Sequence, residues 1–501
     1  MNKRVGQKVL LTLLLVGAVL ILAYLSYAFA QQKATRPRRA AGAGAKTITV
    51  KPGQNFQSAL DAAEAGDEIV LTAGAAYTGN FVLPKLSGTS FVTVRSSRCS
   101  EIPAGQRIDP NQEALTATLM TPNVSPVLLA PVRSHHFKFE CVTFTQAPAV
   151  KEWGYNLIQL GEGGPNENQK TLADVPHHFE FDRCIVRTRD ERTSLQRGIT
   201  LNSASTTVTN SYIAGIKWAG VETQAIGGWN GPGPFLIENN YLEAAGINVL
   251  FGGAVTPIPD LVPSDITIRN NRLYKRPEWQ GKGFAIKNLL ELKNARRVIF
   301  TGNDCENSWP DGQTGWAVIL NAFADGPSSA VEDVEIVKNT FRNVSNGINL
   351  RGMDATDKAT RMKRIKIADN LIENLGAFSG EGKAFQVLNG TEAVSFDHNT
   401  VRGHVSSVLL LDTLPGQIHK GLSFTNNLSP HGEYGLFGNG GSIAAAALDK
   451  FASDWSFAGN ALYAKPDVVQ QPYPPHNFFP RLESAASSLK GTDGQNVGVR
   501  P

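Results

Sequence analysis

The sequence is short of cysteine, of surplus charge and of helical periodicity. Its 501 residues hold four cysteines, with no CxxC pair and no zinc-ligand spacing, which excludes a zinc finger or a thioredoxin-like motif. Formal net charge is +4, of which Lys3, Arg4 and Lys8 fall in residues 1–30. Those thirty residues hold no acid, so the rest of the chain carries 4 − 3 = +1. No basic field for nucleic acid remains. No G-x-S-x-G elbow, P-loop or GxGxxG occurs either, leaving no sequence ground for an elbow hydrolase or a nucleotide enzyme.

What is present is a phrase that returns. It reads Ile266-Thr-Ile-Arg-Asn-Asn271, then Val298-Ile-Phe-Thr-Gly-Asn303, and recurs at Asn339, Asn370, Asn399 and Asn427. The steps, by subtraction, are 32, 36, 31, 29 and 28 residues. Such a period marks a stacked solenoid. Apolar and polar residues alternate within each phrase, as in a half-buried strand, and nothing between the phrases keeps an i, i+3, i+4, i+7 run. Each repeat is therefore one coil of a parallel β-helix. With 48 Gly, 27 Pro and 42% apolar residues, the composition suits a turn-rich β protein with a continuous core. The Asn tolerates a tight corner and can bond its neighbours along the stack. These Asn are scaffold, and from Asn240 to Asn460 they count eight coils.

Residues 1–30 combine basic residues with a long apolar run from Val9 and end in Ala28-Phe29-Ala30. This is the form of a signal peptide, and the run is also long enough to anchor in a membrane. An exported protein follows, periplasmic, extracellular or anchored to the envelope. Residues 31–46 read as a flexible basic linker, 47–465 as the β-helix and 466–501 as a C-terminal lid or tail. Phe56, Ala59, Leu60 and Ala63 give one short helix, capped by Asn55 and ended by Gly66.

On that helix and the strand phrase Gly66-Asp-Glu-Ile-Val-Leu71, the chain resembles the N-terminal cap of right-handed parallel β-helix proteins, the pectate-lyase-like superfamily. The implied fold is all-β, a single right-handed parallel β-helix of about eleven coils with an N-terminal capping helix. Residues ~214–440, including Trp229-Asn-Gly-Pro-Gly-Pro-Phe235 and Ile237-Glu-Asn-Asn-Tyr-Leu-Glu-Ala-Ala245, resemble a group of exported bacterial β-helix repeat proteins without a settled activity.

Two early phrases, Ser134-His135-His136-Phe-Lys-Phe139 and Pro176-His177-His178-Phe-Glu-Phe181, stand 42 residues apart. Their histidines could ligate a metal, but they read as lining a turn before each strand, and no metal is assigned. Cys141 and Cys184 occupy neighbouring coils. Cys141 lies two residues after Phe139 and Cys184 three after Phe181, so they should face opposite ways as two separate buried thiols.

Chemistry should sit on an outward strand face. Aligning one strand per coil by an inward Leu (Leu292, Leu320, Leu350, Leu388, Leu411) turns Lys293, Asn321, Arg351, Asn389 and Asp412 outward. Glu291 and Asn349 precede two of these, so Glu291, Lys293, Asn321, Asn349 and Arg351 form one patch. Lys293 and Arg351 then stand about 10 Å apart. β-Elimination of a uronate needs a neutralised carboxylate, a base for the C5 proton and sometimes an acid for the leaving oxygen. Lys serves as a base when its pKa is depressed, and a Glu-bound Ca²⁺ or a second cation can neutralise the carboxylate. Lys293, Arg351 and Glu291 are the catalytic candidates. The patch resembles the Lys/Arg pair of β-helix alginate and dermatan lyases, whose Arg-His-Gly phrase here reads Leu350-Arg351-Gly352, lacking the His and one coil further on. A plain salt-bridged Glu291/Lys293 surface pair is the competing reading.

Trp218, Trp229, Trp279, Trp309 and Trp316 crowd the same region, and exposed indoles stack on sugar rings. Trp229 and Trp279, with Gln224, Asn248, Lys287, Asn321 and Asn349, are expected to line a glycan groove. The paired aspartates and Gly-His-Gly of polygalacturonase-like β-helices are absent. The expected function is that of an exported protein acting on an acidic polysaccharide by β-elimination, with a non-catalytic glycan-binding or adhesin-like β-helix as the alternative. The partner is a polysaccharide, the chain a monomer, and N-terminal membrane attachment remains open.

Overall fold

Three short runs per repeat become three strands, and the strands stack into three sheets. A computed structural model describes residues 44–151, 153–322, 329–353, 361–466 and 472–500. The leader and most of the linker lie outside the described residues. Among the described residues no helix is long and apolar enough to cross a membrane. The first sheet has fifteen strands, from Thr47–Val50 to Ser456–Ala458; the second and third have thirteen each. One coil shows the path: Phe235–Glu238 in the first sheet, Tyr241–Ala244 in the second, Ile247–Phe251 in the third, then Ser264–Arg269 back in the first. Neighbouring strands are parallel throughout, except for a closing antiparallel pair, Gly435–Gly438 with Ser442–Ile443. The right-handed β-helix is as expected, with more turns than about eleven. The extra coils are early ones, with strands as short as Phe81–Val82.

Inward positions of all three sheets form one continuous core of Val, Ile, Leu and Phe. Each such side chain contributes roughly 1.5–3 kcal/mol by leaving water. The open N-terminal end is covered by the helix Phe56–Ala62, whose Asn55 cap accepts from the Ser58 amide. That helix stops at Ala62, before Gly66, because Ala63 is already extended. At the other end a second short helix, Ala445–Phe451, buries Ala447, Leu448 and Phe451.

The Asn corner joins the first sheet to the second. In each coil the Asn Nδ2 donates to the next coil's Oδ1 at 3.0 Å, from Asn240 through Asn271, Asn303, Asn339, Asn370, Asn399 and Asn427 to Asn460. The same Oδ1 accepts the preceding ladder residue's backbone N–H. Asn477 extends the column by one more step. The left-handed conformation belongs to the residue before each ladder Asn (Asn239, Asn270, Lys338, Asp369, His398, Asn426), and the ladder Asn itself avoids it.

Cys99 and Cys141 form a disulfide, whereas Cys184 and Cys305 are buried free thiols. Cys141 and Cys184 do face different ways, but Cys141 is not a free thiol. Its partner sits in an irregular early coil whose register the repeat phrase does not set. The C-terminal tail runs along the second sheet: Val497 packs with Leu428 and Ala461, and Arg500 pairs with Asp369 at 2.6 Å. It leaves the outer face of the third sheet uncovered by these contacts.

Candidate functional site

The outer face of the third sheet gathers most of the predicted residues. Pairing runs Leu292–Leu320–Leu350, so Glu291, Ile319 and Asn349 share one outward row, and Asn321 pairs with Arg351. Lys293 follows Leu292 and stands in the coil next to Asn321. One slip appears in the next coil. Val387, not Leu388, continues the inward column, and Leu388 pairs with Arg351 on the outside. Asn389 therefore falls off the row, because the Leu repeat shifts by one residue there.

Glu291 is the hub. It is 2% exposed, with Lys293 Nζ 3.6 Å from Oε1 and Lys287 Nζ 3.7 Å from Oε2. Burial pushes its carboxyl above the ordinary value, and the two lysines oppose that shift. Lys287 also pairs closely with Glu222, and Gln224 Nε2 donates to Glu222 at 2.9 Å. Burial would raise Glu222, but Lys287 outweighs it and holds the carboxyl below its usual range. The Arg197 guanidinium lies 5.1 Å from the Trp229 ring centre, a cation–π distance. Among the described residues no acid pairs with Arg351. Gly252 and Gly253 precede Lys293 in the stack, both with φ near +90°, and a side chain at Gly253 would stand 3.8 Å from Lys293 Nζ.

Polar atoms on this face are left over. Among the described residues, Thr200 Oγ1, Gln224 Oε1, Glu291 Oε2, Asn321 Oδ1 and Asn349 Oδ1 are buried without a hydrogen-bond partner. A native fold leaves few such groups, and four of these five are acceptors by chemistry. Thr200, Glu291 and Asn349 share one register row with Gly227, Leu250 and Ile319 between them, while Asn321 lies beside Arg351 two residues on and Gln224 three residues back, so the five form a scattered set on one face.

Some predicted groove residues are elsewhere. Asn248 is fully buried at the corner from the second sheet to the third, bonded to the Leu242 and Tyr274 carbonyls and to Lys275. Trp279 and Trp309 pack with Ala245 and Ile286 in a satellite core, and Trp316 is 3% exposed. These tryptophans anchor loops to the barrel, which alternation alone does not distinguish from lining a groove. Trp218 stays partly exposed but stacks on Trp153, 5.0 Å away, beside the exposed Tyr155. Trp229 is half-buried and donates to the Gly163 carbonyl at 2.9 Å. Glu222 and Arg197 were invisible to the repeat pattern. Glu222 sits in a loop, and Arg197 in a coil before the ladder begins. Lys275 was missed as well: its fully buried amine is ringed by the Ala244, Ala245 and Gly246 carbonyls and Asn248.

A Ca²⁺ cage requires six to eight oxygens. Here two ammonium groups already flank Glu291 and one engages Glu222, so the donor set does not fit that ion.

Residues 197–428 match the model of the right handed beta helix region. The chain is a right-handed parallel β-helix repeat protein. No curated protein matches the sequence. Among solved structures this β-helix is similar to an alginate lyase from Paenibacillus sp. str. FPU-7, at 14% identity and TM-score 0.29, covering 80% of this chain and 99% of that one. It is similar to a PL6 family polysaccharide lyase from Pseudopedobacter saltans at 12% identity and TM-score 0.42, covering 90% and 99%. It is similar too to a surface adhesin of Streptococcus pneumoniae at 14% identity and TM-score 0.42, covering 85% and 96%. At these identities the likeness concerns the fold alone.

Proposed function

We propose that the outer face of the third sheet is a groove for an acidic polysaccharide, and that β-elimination is the reaction its residues suit best. The observation that carries this is the set of acceptors on this face, Gln224 Oε1, Asn321 Oδ1 and Asn349 Oδ1 with the Thr200 hydroxyl, that hold no hydrogen bond among the described residues and are flanked by Arg197, Lys287, Lys293 and Arg351. Hydroxyl-rich chains satisfy acceptors, and cations attract carboxylates. Trp229 adds an apolar ring face at the near end.

In this reading Lys287 and Arg197 neutralise the uronate carboxylate, which acidifies the C5 proton. Lys293, whose amine reaches the open side beside Gly253, takes that proton in its neutral form. The electron pair forms the C4–C5 double bond, the C4–O bond breaks, and the leaving oxygen gains a proton from Arg351 or from water. A binding-only groove has one observation in its favour. Lys293 is already engaged by Glu291, 3.6 Å away, an ion pair that suits holding a carboxylate chain more than proton transfer. Incubation with alginate, pectate and glycosaminoglycans separates the two. A lyase accumulates an unsaturated product with new ultraviolet absorbance. Binding without any such product on all three would leave the groove and remove the reaction.

A further inference from the structure

The four histidines of the early coils lie on the first sheet, away from the groove. His135–Glu140 pairs with His177–Asp182 in register, His135 opposite His177. Within each coil the two rings meet at their Nδ1 atoms, 2.9 Å apart for His135 and His136 and 2.7 Å for His177 and His178. Between coils the rings stack, His135 on His177 at 5.0 Å and His136 on His178 at 4.3 Å, nearly parallel in both cases. Ligand atoms of His136, His177 and His178 all fall within 4.8 Å of one another. The His135 ring also bonds the Leu86 backbone, and Phe91 packs edge-on against His136. A carbonyl held by a ring nitrogen is the usual way a ligating imidazole is oriented.

We propose that His136, His177 and His178, with His135 as a fourth neighbour, bind one late first-row transition ion, Cu²⁺ or Ni²⁺ before Zn²⁺. The choice of ion comes from the spacing. Imidazole nitrogens at about 2.0–2.1 Å from a metal stand about 2.9 Å apart at a square-planar corner and about 3.4 Å apart in a tetrahedron. The in-coil Nδ1 atoms, each pair sharing a hydrogen bond at 2.9 and 2.7 Å, already stand closer to the square-planar spacing than to the tetrahedral one, and the affinity order for nitrogen sites places Cu²⁺ first. Closing the gap between coils requires the partly exposed His177 and His178 rings to turn toward His136.

Burial lowers the pKa of His135, His136 and His177, with further lowering from the neighbouring histidines and, at His135, from Lys85. The left-handed φ of His136 and His178 recurs at Ser205, Asp265, Arg297 and Asp333 farther along the sheet and belongs to the fold. A bound ion would bridge two coils near the N-terminal end and stabilise the fold by mass action.

The test uses the full chain stripped with a chelator and titrated with Cu²⁺ or Ni²⁺ alone, read by calorimetry, by nitrogen couplings in the Cu²⁺ resonance spectrum and by thermal midpoint. One equivalent should bind and raise the midpoint. His178→Asn, which tolerates a left-handed backbone, should weaken binding by at least about tenfold while leaving the metal-free midpoint unchanged. Should that variant fail to fold, His177→Gln serves instead, and His419→Asn, remote in sequence, should bind like the parent. No stoichiometric binding by the parent, or binding unchanged in both cluster variants, overturns the proposal.

Discussion

A row of asparagines and a local pair of them differ in what their amides do. At the corner from the first sheet to the second, each ladder Asn spends its Oδ1 and Nδ2 on neighbouring coils and carbonyls. On the outer face of the third sheet, Asn321 and Asn349 leave their Oδ1 atoms unpartnered. The ladder repeats at each of the eight coils from Asn240 to Asn460 with its bonds made, whereas the pair occupies two coils with bonds left over. A repeating polar row with all its bonds made is scaffold. A local pair with bonds left over is open to a ligand.

The contrast can be broken most forcefully at the cations. Lys293→Ala combined with Arg351→Ala should lower the rate of unsaturated-product formation by at least ~10²-fold, with an unchanged circular dichroism spectrum because both side chains point outward. Full activity in that double variant would remove both residues from the site.

Next in size is stability. Asn303→Ala should cost about 3 kcal/mol in chemical denaturation, since it strands the Asn271 backbone N–H and removes one bond each from the Asn271 amide, the Ile268 carbonyl and the Asn339 Oδ1. Asn349→Ala should cost less than about 0.5 kcal/mol, because it breaks no side-chain bond, while weakening glycan binding by about 1 kcal/mol. Equal stability losses at the two positions would erase the distinction between the row and the pair.

The smallest effect is a pH slope. Glu291's carboxyl is held above its ordinary value chiefly by burial, so it takes up a proton more readily folded than unfolded. Its contribution to stability is therefore greatest at low pH and is lost as pH rises through the folded pKa. Protonation also frees Lys287 and Lys293 for substrate carboxylates. Affinity for a uronate polymer should rise as pH falls through that raised pKa, and Glu291→Gln should flatten the rise. An identical slope in the variant would assign it to another group.

The strand phrase and its Asn made the fold legible, because a parallel β-helix repeats the same packing problem every coil. The same register brought Glu291, Lys293, Asn321, Asn349 and Arg351 together on paper and in three dimensions. It failed where repetition fails. Leu388 slipped outward by one residue, and Cys99 found Cys141 across an irregular coil. Trp279 and Asn248 turned inward because loops and corners obey no alternation. Glu222 and Arg197, which complete the charge cluster, come from a loop and from a coil before the ladder, where no local pattern announces them.

The most direct test is equilibrium binding of the full chain to a uronate polysaccharide beside a neutral glucan of similar length, across a salt series. The cationic groove with unpaired acceptors predicts binding to the uronate polymer that weakens as salt rises, with little binding to the glucan. Equal affinity for both polymers, independent of salt, would contradict an acidic-polysaccharide site on this face.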